Sequence, residues 1–222
     1  MESSQPFQLV PLQLVLWCLG AFLCGSIPFG LIVVKLLGKG DVRAKGSGNI
    51  GATNVARVAG KGVGVLVLLL DAAKGFGPVF LAKGFGFPGA ALSALALCVV
   101  AGHIFTPWLR FKGGKGVAAA LGATLAFNWV LVVPAFLLFL CAVVISRFVS
   151  LASILAALAL PILVWNHPWR GSSAVPYDIA TFAIWLAISL LVIAKHRENI
   201  RRLLNGTESR LWTSKPKEGF ND

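Results

Sequence analysis

Apolar runs long enough to cross a bilayer, about 17 to 25 residues each, recur along most of this chain. That recurrence constrains the fold more than any single motif does. Hydrocarbon holds no water to pair with the backbone, and a helix meets this demand by bonding its own N–H and C=O groups. Of the 222 residues, 57% are hydrophobic and only 13% are charged, whereas a soluble domain carries roughly a quarter charged residues. Water is therefore not the main environment. The expectation is an all-α polytopic membrane protein, one domain over residues 1–222 with a short basic tail from about residue 209.

Breaks in hydrophobicity predict seven helices. The first covers 9–37 and is kinked at Pro28, where a helix interior loses a hydrogen bond. The second and third span 61–82 and 89–107. The run 117–127 rises only about 16 Å at about 1.5 Å per residue, half a membrane. Three more cover 129–146, 150–165 and 178–195, the first of them containing Pro134. The expected fold is thus a seven-transmembrane-helix bundle with one half-length helix.

The net charge is +12, and seventeen of the twenty Lys and Arg fall in 35–61, 110–115, 147 and 195–217. By the positive-inside rule these stretches face the cytoplasm, leaving the turns "KGFGFPG" and "HPWRGSSAVP" outside. No Lys or Arg precedes Lys35, so the basic n-region of a signal peptide is missing. The N-terminus is expected outside and the C-terminus inside. Because the cations lie between apolar runs rather than on a soluble face, the charge is no nucleic-acid footprint. Cys18, Cys24, Cys98 and Cys141 all sit in apolar segments without metal-ligand spacing and read as packing residues.

Three conspicuous polar stretches then share one membrane face: "RAKGSGNIGATNVAR" at 43–57, "GHIFTPWLRFKGGKGVA" at 102–118 and "KHRENIRRLLNGTE" at 195–208. In the second, Gly113, Gly114, Lys115 and Gly116 precede a helix start. Free backbone N–H groups beside a lysine form an anion cradle, though a flexible turn anchored by cations has the same composition. The stretch is not a Walker A loop, which needs a magnesium-binding hydroxyl directly after its lysine; here Lys115 is followed by Gly116 and Val117. In the first stretch Ser47, Asn49, Thr53 and Asn54 offer side-chain donors, and Arg57 can grip a phosphate through two parallel bonds. Ile50, Ala52 and Val55 interleave with them, which suggests a packed loop rather than a disordered one. In the third, His196 and Asn199 stand at i and i+3, on one helical face. His196 is the natural base or donor because its ordinary pKa lies near neutrality. The sequon-like "NGT" at 205–207 has no consequence on the cytoplasmic side.

Asp71 and Lys74 fall inside the second helix, where ionisable groups are costly and point to function; spaced i, i+3, they could equally neutralise each other. Ser150 resembles an N-cap of the sixth helix and could also donate to a ligand, while His103 reads as a structural hydrogen-bonding residue. No H-x-x-x-x-D occurs, since Trp108 follows His103 by five positions and Arg201 follows His196 by five. A His/Asp acyltransferase dyad is thereby disfavoured, and no paired carboxylates suggest a metal. From the residues alone, two classes remain: an enzyme acting on an anion, or a transporter or channel for an organic phosphate. Transporters place their site near the midplane and show internal repeats, and no convincing repeat is visible.

The motifs "GSGNIGATNVAR", "GHIFTPWLRFKGGKGVA" and "HRENIRRLLNGTE", with "GSIPFG", "DAAKG" and "RFVSLASI" between them, resemble the bacterial membrane acyltransferases that transfer an acyl group from acyl phosphate to glycerol 3-phosphate. The resemblance covers roughly residues 17–208, departing at Thr106 and in "GVAAA". It implies a seven-helix fold in the inner membrane, a cytoplasmic active site, no metal, no organic cofactor and no obligatory protein partner. It also implies lysophosphatidic acid as the product. On this reading Gly113, Gly114, Lys115 and Gly116 take the acyl phosphate. Ser47, Thr53, Asn54 and Arg57 hold the glycerol 3-phosphate, with His196 and Asn199 closing over it and Ser150 as a further donor.

Overall fold

The computed structural model describes residues 10–166 and 178–211. The expected outer stretch 167–176, the first nine residues and the tail beyond 211 lie outside the described residues. Ten α-helices and no strand occur among the described residues: α1 Pro11–Ser26, α2 Phe29–Leu36, α3 Ala52–Ala59, α4 Lys61–Gly84, α5 Gly89–Ile104, α6 Val117–Phe127, α7 Trp129–Ser146, α8 Val149–Trp165, α9 Ile179–Lys195 and α10 Arg197–Leu204.

Among the described residues, four helical stretches are long and apolar enough to cross a bilayer: Pro11–Leu36, Lys61–Gly84, Gly89–Leu109 and Trp129–Ser146. The pair α9 and α10, bent by 56°, reaches that length and hydropathy only when the two are counted together, whereas α6 and α8 are shorter apolar helices. The central element is α5, which contributes Leu92, Leu95, Ala96, Val99 and Val100 to the main core beside Trp185 and Ile188 of α9. Its neighbours are α1, α4, α6 and α9, and α7 packs outside against α8.

The closest helix pairs are built on glycine. A Cβ at Gly75 of α4 would strike the carbonyl of Ala119 of α6, and one at Gly122 of α6 would strike that of Ala72 of α4. The pair α1 and α5 repeats the device, Gly25 against Val99 and Gly102 against Phe22. Lipid tails are as apolar as leucine, so close backbone approach replaces hydrophobic sorting as the source of helix pairing. The half-length α6 ends at Phe127, and Lys83 donates to the carbonyls of Ala126 and Phe127. A cation there satisfies groups that would otherwise face hydrocarbon.

Two local expectations are corrected. The first helix is broken rather than kinked: Ile27 is extended, at φ −60° and ψ 118°, because proline disfavours the helical region for the residue before it. The freed carbonyls become docking points. Thr106 donates to the Ser26 carbonyl at 2.7 Å, Lys74 to that of Ile27 at 2.7 Å, and the Trp108 indole to the Ser26 hydroxyl at 2.8 Å. The stretch 43–57 is also not all loop. Its second half forms α3, whose Val55 and Ala59 join a second core with Leu31, Val34, Val42, Ile50 and Val67.

Candidate active site

The three polar stretches converge on one cavity of about 140 Å³, lined by Ser47, Thr53, Asn54, Arg57, Lys115, Gly116, Ser150, His196 and Asn199 together with Asp71, His103, Ser153 and Glu208. Ser47, Thr53 and Arg57 are exposed at its rim, Thr53 and Arg57 standing at i, i+4 on the outer face of α3. His196, Asn199 and Ser150 are buried at its inner wall.

The rim owes its shape to Asn54, which is buried. Its amide donates to the carbonyls of Val42, Lys45 and Asn49 at 3.1, 3.1 and 2.8 Å. Its Oδ1 accepts from the Ser47 N–H at 2.8 Å. The side chain thus stitches the turn that presents Ser47, and no hydrogen of its amide group is left without a partner.

Lys115 is half-buried, and its ammonium donates to Asn199 Oδ1. Burial lowers its pKa to about 8, so the charged form prevails at neutral pH. Behind it, Asn199 Nδ2 donates to Glu208 Oε1 at 2.7 Å, Ser150 donates to the same oxygen at 2.9 Å, and Arg202 Nε donates to Oε2 at 2.7 Å. Burial alone would raise the Glu208 pKa, but hydrogen bonds from Asn199, Arg202 and Ser150 leave it lowered and the group ionised. Burial holds the His196 pKa down at about 4, and its Nδ1 lies 2.7 Å from the Val192 carbonyl. A carbonyl only accepts, so Nδ1 carries the proton and Nε2 of the neutral ring is an acceptor.

The four cradle residues separate. The N–H groups of Gly113 and Gly114 donate to the carbonyls of Ile104 and His103 at 3.0 and 3.1 Å. Those two N–H groups close the turn back onto α5, which corrects the expectation that they stand free for an anion. Gly116, in the left-handed region at φ 85°, is the N-cap of α6, and Gly116, Val117 and Ala118 line the cavity. The backbone that lines the cavity is therefore the first turn of α6, where N–H groups lack helical partners and could receive an anion.

Ser150 is not an N-cap; Phe148 holds that position, and Ser150 is the second helical residue with its hydroxyl on Glu208. Asp71 and Lys74 do pair, at 2.7 Å. Asp71 lines the cavity whereas Lys74 does not. His103 Nδ1 stands 3.7 Å from Asp71, too far for a hydrogen bond, so the imidazole is held by packing. Glu208 is a site residue that motif chemistry does not single out, and its signal lies in the "NGT" directly before it. Gly206 takes a left-handed φ of 68°, and the N–H groups of Gly206 and Thr207 return to Leu203 and Arg202. This is a helix stop of the Schellman type, and it folds Glu208 back onto α10.

A second, apolar cavity of about 130 Å³ lies between α6, α7, α8 and α9 and shares Val117, Phe139 and Ser153 with the polar one. Together these features define an integral membrane protein with a cation-rimmed polar cavity opening onto an apolar groove. Residues 15–206 match the family model described as glycerol-3-phosphate acyltransferase, and the chain belongs to that family. It is 48% identical over 193 residues, 86% of this chain and 94% of the relative, to the glycerol-3-phosphate acyltransferase of Syntrophotalea carbinolica. Among solved structures it is similar to the integral membrane glycerol 3-phosphate acyltransferase PlsY (YgiH). The glycerol 3-phosphate form of that protein has a TM-score of 0.82 and 41% identity, covering 89% of this chain and 95% of that one. The lysophosphatidic acid form has a TM-score of 0.79 and 40% identity, with the same coverage.

Proposed function

We propose that the protein transfers a fatty acyl group from acyl phosphate to the 1-hydroxyl of sn-glycerol 3-phosphate, releasing lysophosphatidic acid and phosphate. The observation that carries this reading is the junction of a cation-rimmed polar cavity with an apolar groove at Val117, Phe139 and Ser153. A substrate with a phosphate at one end and a hydrocarbon tail at the other needs both compartments to meet.

In the reaction the glycerol oxygen bonds to the acyl carbon while the bond from that carbon to the phosphate oxygen breaks. The hydroxyl proton ends on the departing phosphate. An acyl phosphate is already activated, so positioning and charge stabilisation supply the rate. The acyl-phosphate phosphate is assigned to Lys115 and the first turn of α6, and the acceptor phosphate to Ser47, Thr53 and Arg57. His196 Nε2 accepts the 1-hydroxyl hydrogen bond and aims its oxygen. With a pKa of about 4, His196 is a poor proton acceptor, whereas a phosphate with a second pKa of about 6 is a better one. This favours proton transfer to substrate phosphate over transfer to imidazole.

The chain is assigned seven crossings of the bacterial inner membrane, with α1 and α2 counted as one and α6 as the half-length member. The polar cavity then faces the cytoplasm and the N-terminus lies outside. Palmitoyl phosphate and labelled glycerol 3-phosphate, incubated with purified protein in detergent, should yield lysophosphatidic acid without CoA, acyl carrier protein or magnesium. Absence of product, with Lys115→Ala changing nothing, overturns the reading.

A further inference from the structure

Gly114 lies in the turn that carries Lys115 into the cavity, yet its backbone gives no reason for glycine, since its φ is outside the left-handed region. Nor does a ligand supply one, because its N–H already donates to the His103 carbonyl. The reason is a side chain. The three atoms nearest to a Cβ at position 114 are all in the imidazole of His103, with Nε2 closest. His103 therefore grips the turn twice, with its carbonyl on the Gly114 N–H and with the Nε2 end of its ring against the Gly114 backbone. The ring is buried at the cavity wall. On its other side stands Asp71, 3.7 Å from Nδ1 and tied to Lys74 at 2.7 Å. Lys74 in turn is fixed to the carbonyl freed at the α1–α2 break.

We propose that His103 is a positioning residue for Lys115: ring and glycine form a lock that sets the height of the turn and so the place of the Lys115 ammonium. Asp71 and Lys74 back the ring from α4. The lock acts on the acyl transfer proposed above and rests on that reading. A shift of about 1 Å in a positioning group can cost about 100-fold in rate, and a methyl group at position 114 forces a displacement of that order.

The lock makes a prediction that a merely structural histidine does not: damage at Gly114 is relieved by removing the ring. Gly114→Ala, His103→Ala and the double variant are assayed for lysophosphatidic acid formation. In parallel, the acetylation rate of the Lys115 amine by acetic anhydride is mapped by mass spectrometry, a readout independent of turnover. Gly114→Ala is expected to lower kcat by about 100-fold and to change Lys115 labelling. The double variant should recover at least about tenfold of that loss and return labelling toward wild type. If Gly114→Ala fails to fold, folding and activity regained with His103→Ala or His103→Asn are the expected rescue. Wild-type kcat and labelling in Gly114→Ala overturn the lock, as does a double variant no better than Gly114→Ala in either background. An inactive wild-type protein instead overturns the acyl-transfer reading, while the labelling pattern still reports on the lock.

Discussion

Ser150 and Glu208, 58 positions apart, meet in a hydrogen bond of 2.9 Å. The same carboxylate oxygen accepts from Asn199 Nδ2, which turns Asn199 Oδ1 toward the Lys115 ammonium. One acidic residue after α10 thus orients the amide that holds the candidate catalytic cation.

Replacing Glu208 separates its two oxygens. Glu208→Gln can keep Oε1 as the acceptor for Ser150 and Asn199 but sets an amide N–H₂ against the donor Arg202 Nε. Glu208→Ala removes all three bonds, and bonds to charged groups contribute about 1.5–3 kcal/mol each. The expected losses in kcat/KM are about tenfold for Gln and about 100-fold or more for Ala, at about 1.4 kcal/mol per tenfold. Steady-state assays on the two variants check the order; equal losses would show that the carboxylate charge alone matters.

The Lys115 pKa, lowered to about 8 by burial, fixes an alkaline limit. The ammonium binds phosphate and the amine does not, so activity is retained below that pKa and lost as pH rises through it. The pH profile of kcat/KM, which reports the free enzyme, should fall above about pH 8. Lys115→Arg should abolish that limb within the accessible range because guanidinium does not titrate there, at whatever level of activity remains. His196, held at about 4 by burial, should contribute no inflection near its ordinary value, and titration of its ring signals by NMR tests this directly.

Asn54 and Arg57 should fail in different ways. Asn54→Ala removes four hydrogen bonds inside the turn and should lower stability by about 2–3 kcal/mol, at roughly 1 kcal/mol for each net bond with partial rescue by water. Arg57→Ala touches only the rim and should raise KM for glycerol 3-phosphate at least tenfold with little change in thermal unfolding. Unfolding in detergent measured beside KM separates the two.

The apolar groove should limit the donor's tail. Ala156 lines it, and Ala156→Phe fills space where an acyl chain would lie. The variant should lose activity with palmitoyl phosphate more than with a short-chain acyl phosphate. Competition between the two donors measures the ratio, and an unchanged ratio would place the tail elsewhere.

Much of this was legible in the chain because it depends on local chemistry. Period and length marked the apolar helices, and Lys115, Arg57, His196 and Asn199 stood out as polar groups crowding short stretches between them. The ion pair of Asp71 and Lys74 was readable from its i, i+3 spacing. The broken first helix was visible at Pro28 as a disturbance, but whether a proline kinks or splits a helix depends on what receives the freed carbonyls. Here Thr106, in the turn after α5, and Lys74 of α4 do so.

By itself, then, the sequence determined that the protein lives in lipid and which residues could seek an anion, since both follow from side-chain chemistry and short-range periodicity. Only the tertiary structure decided what each polar residue does. It made Asn54 the brace of a turn, closed the Gly113 and Gly114 amides onto α5, set His103 against Gly114 and brought Glu208 beneath Asn199. Those roles depend on distances between segments far apart in the chain, and a donor's partner in a membrane protein is fixed by which helix backbone packs close enough to reach it.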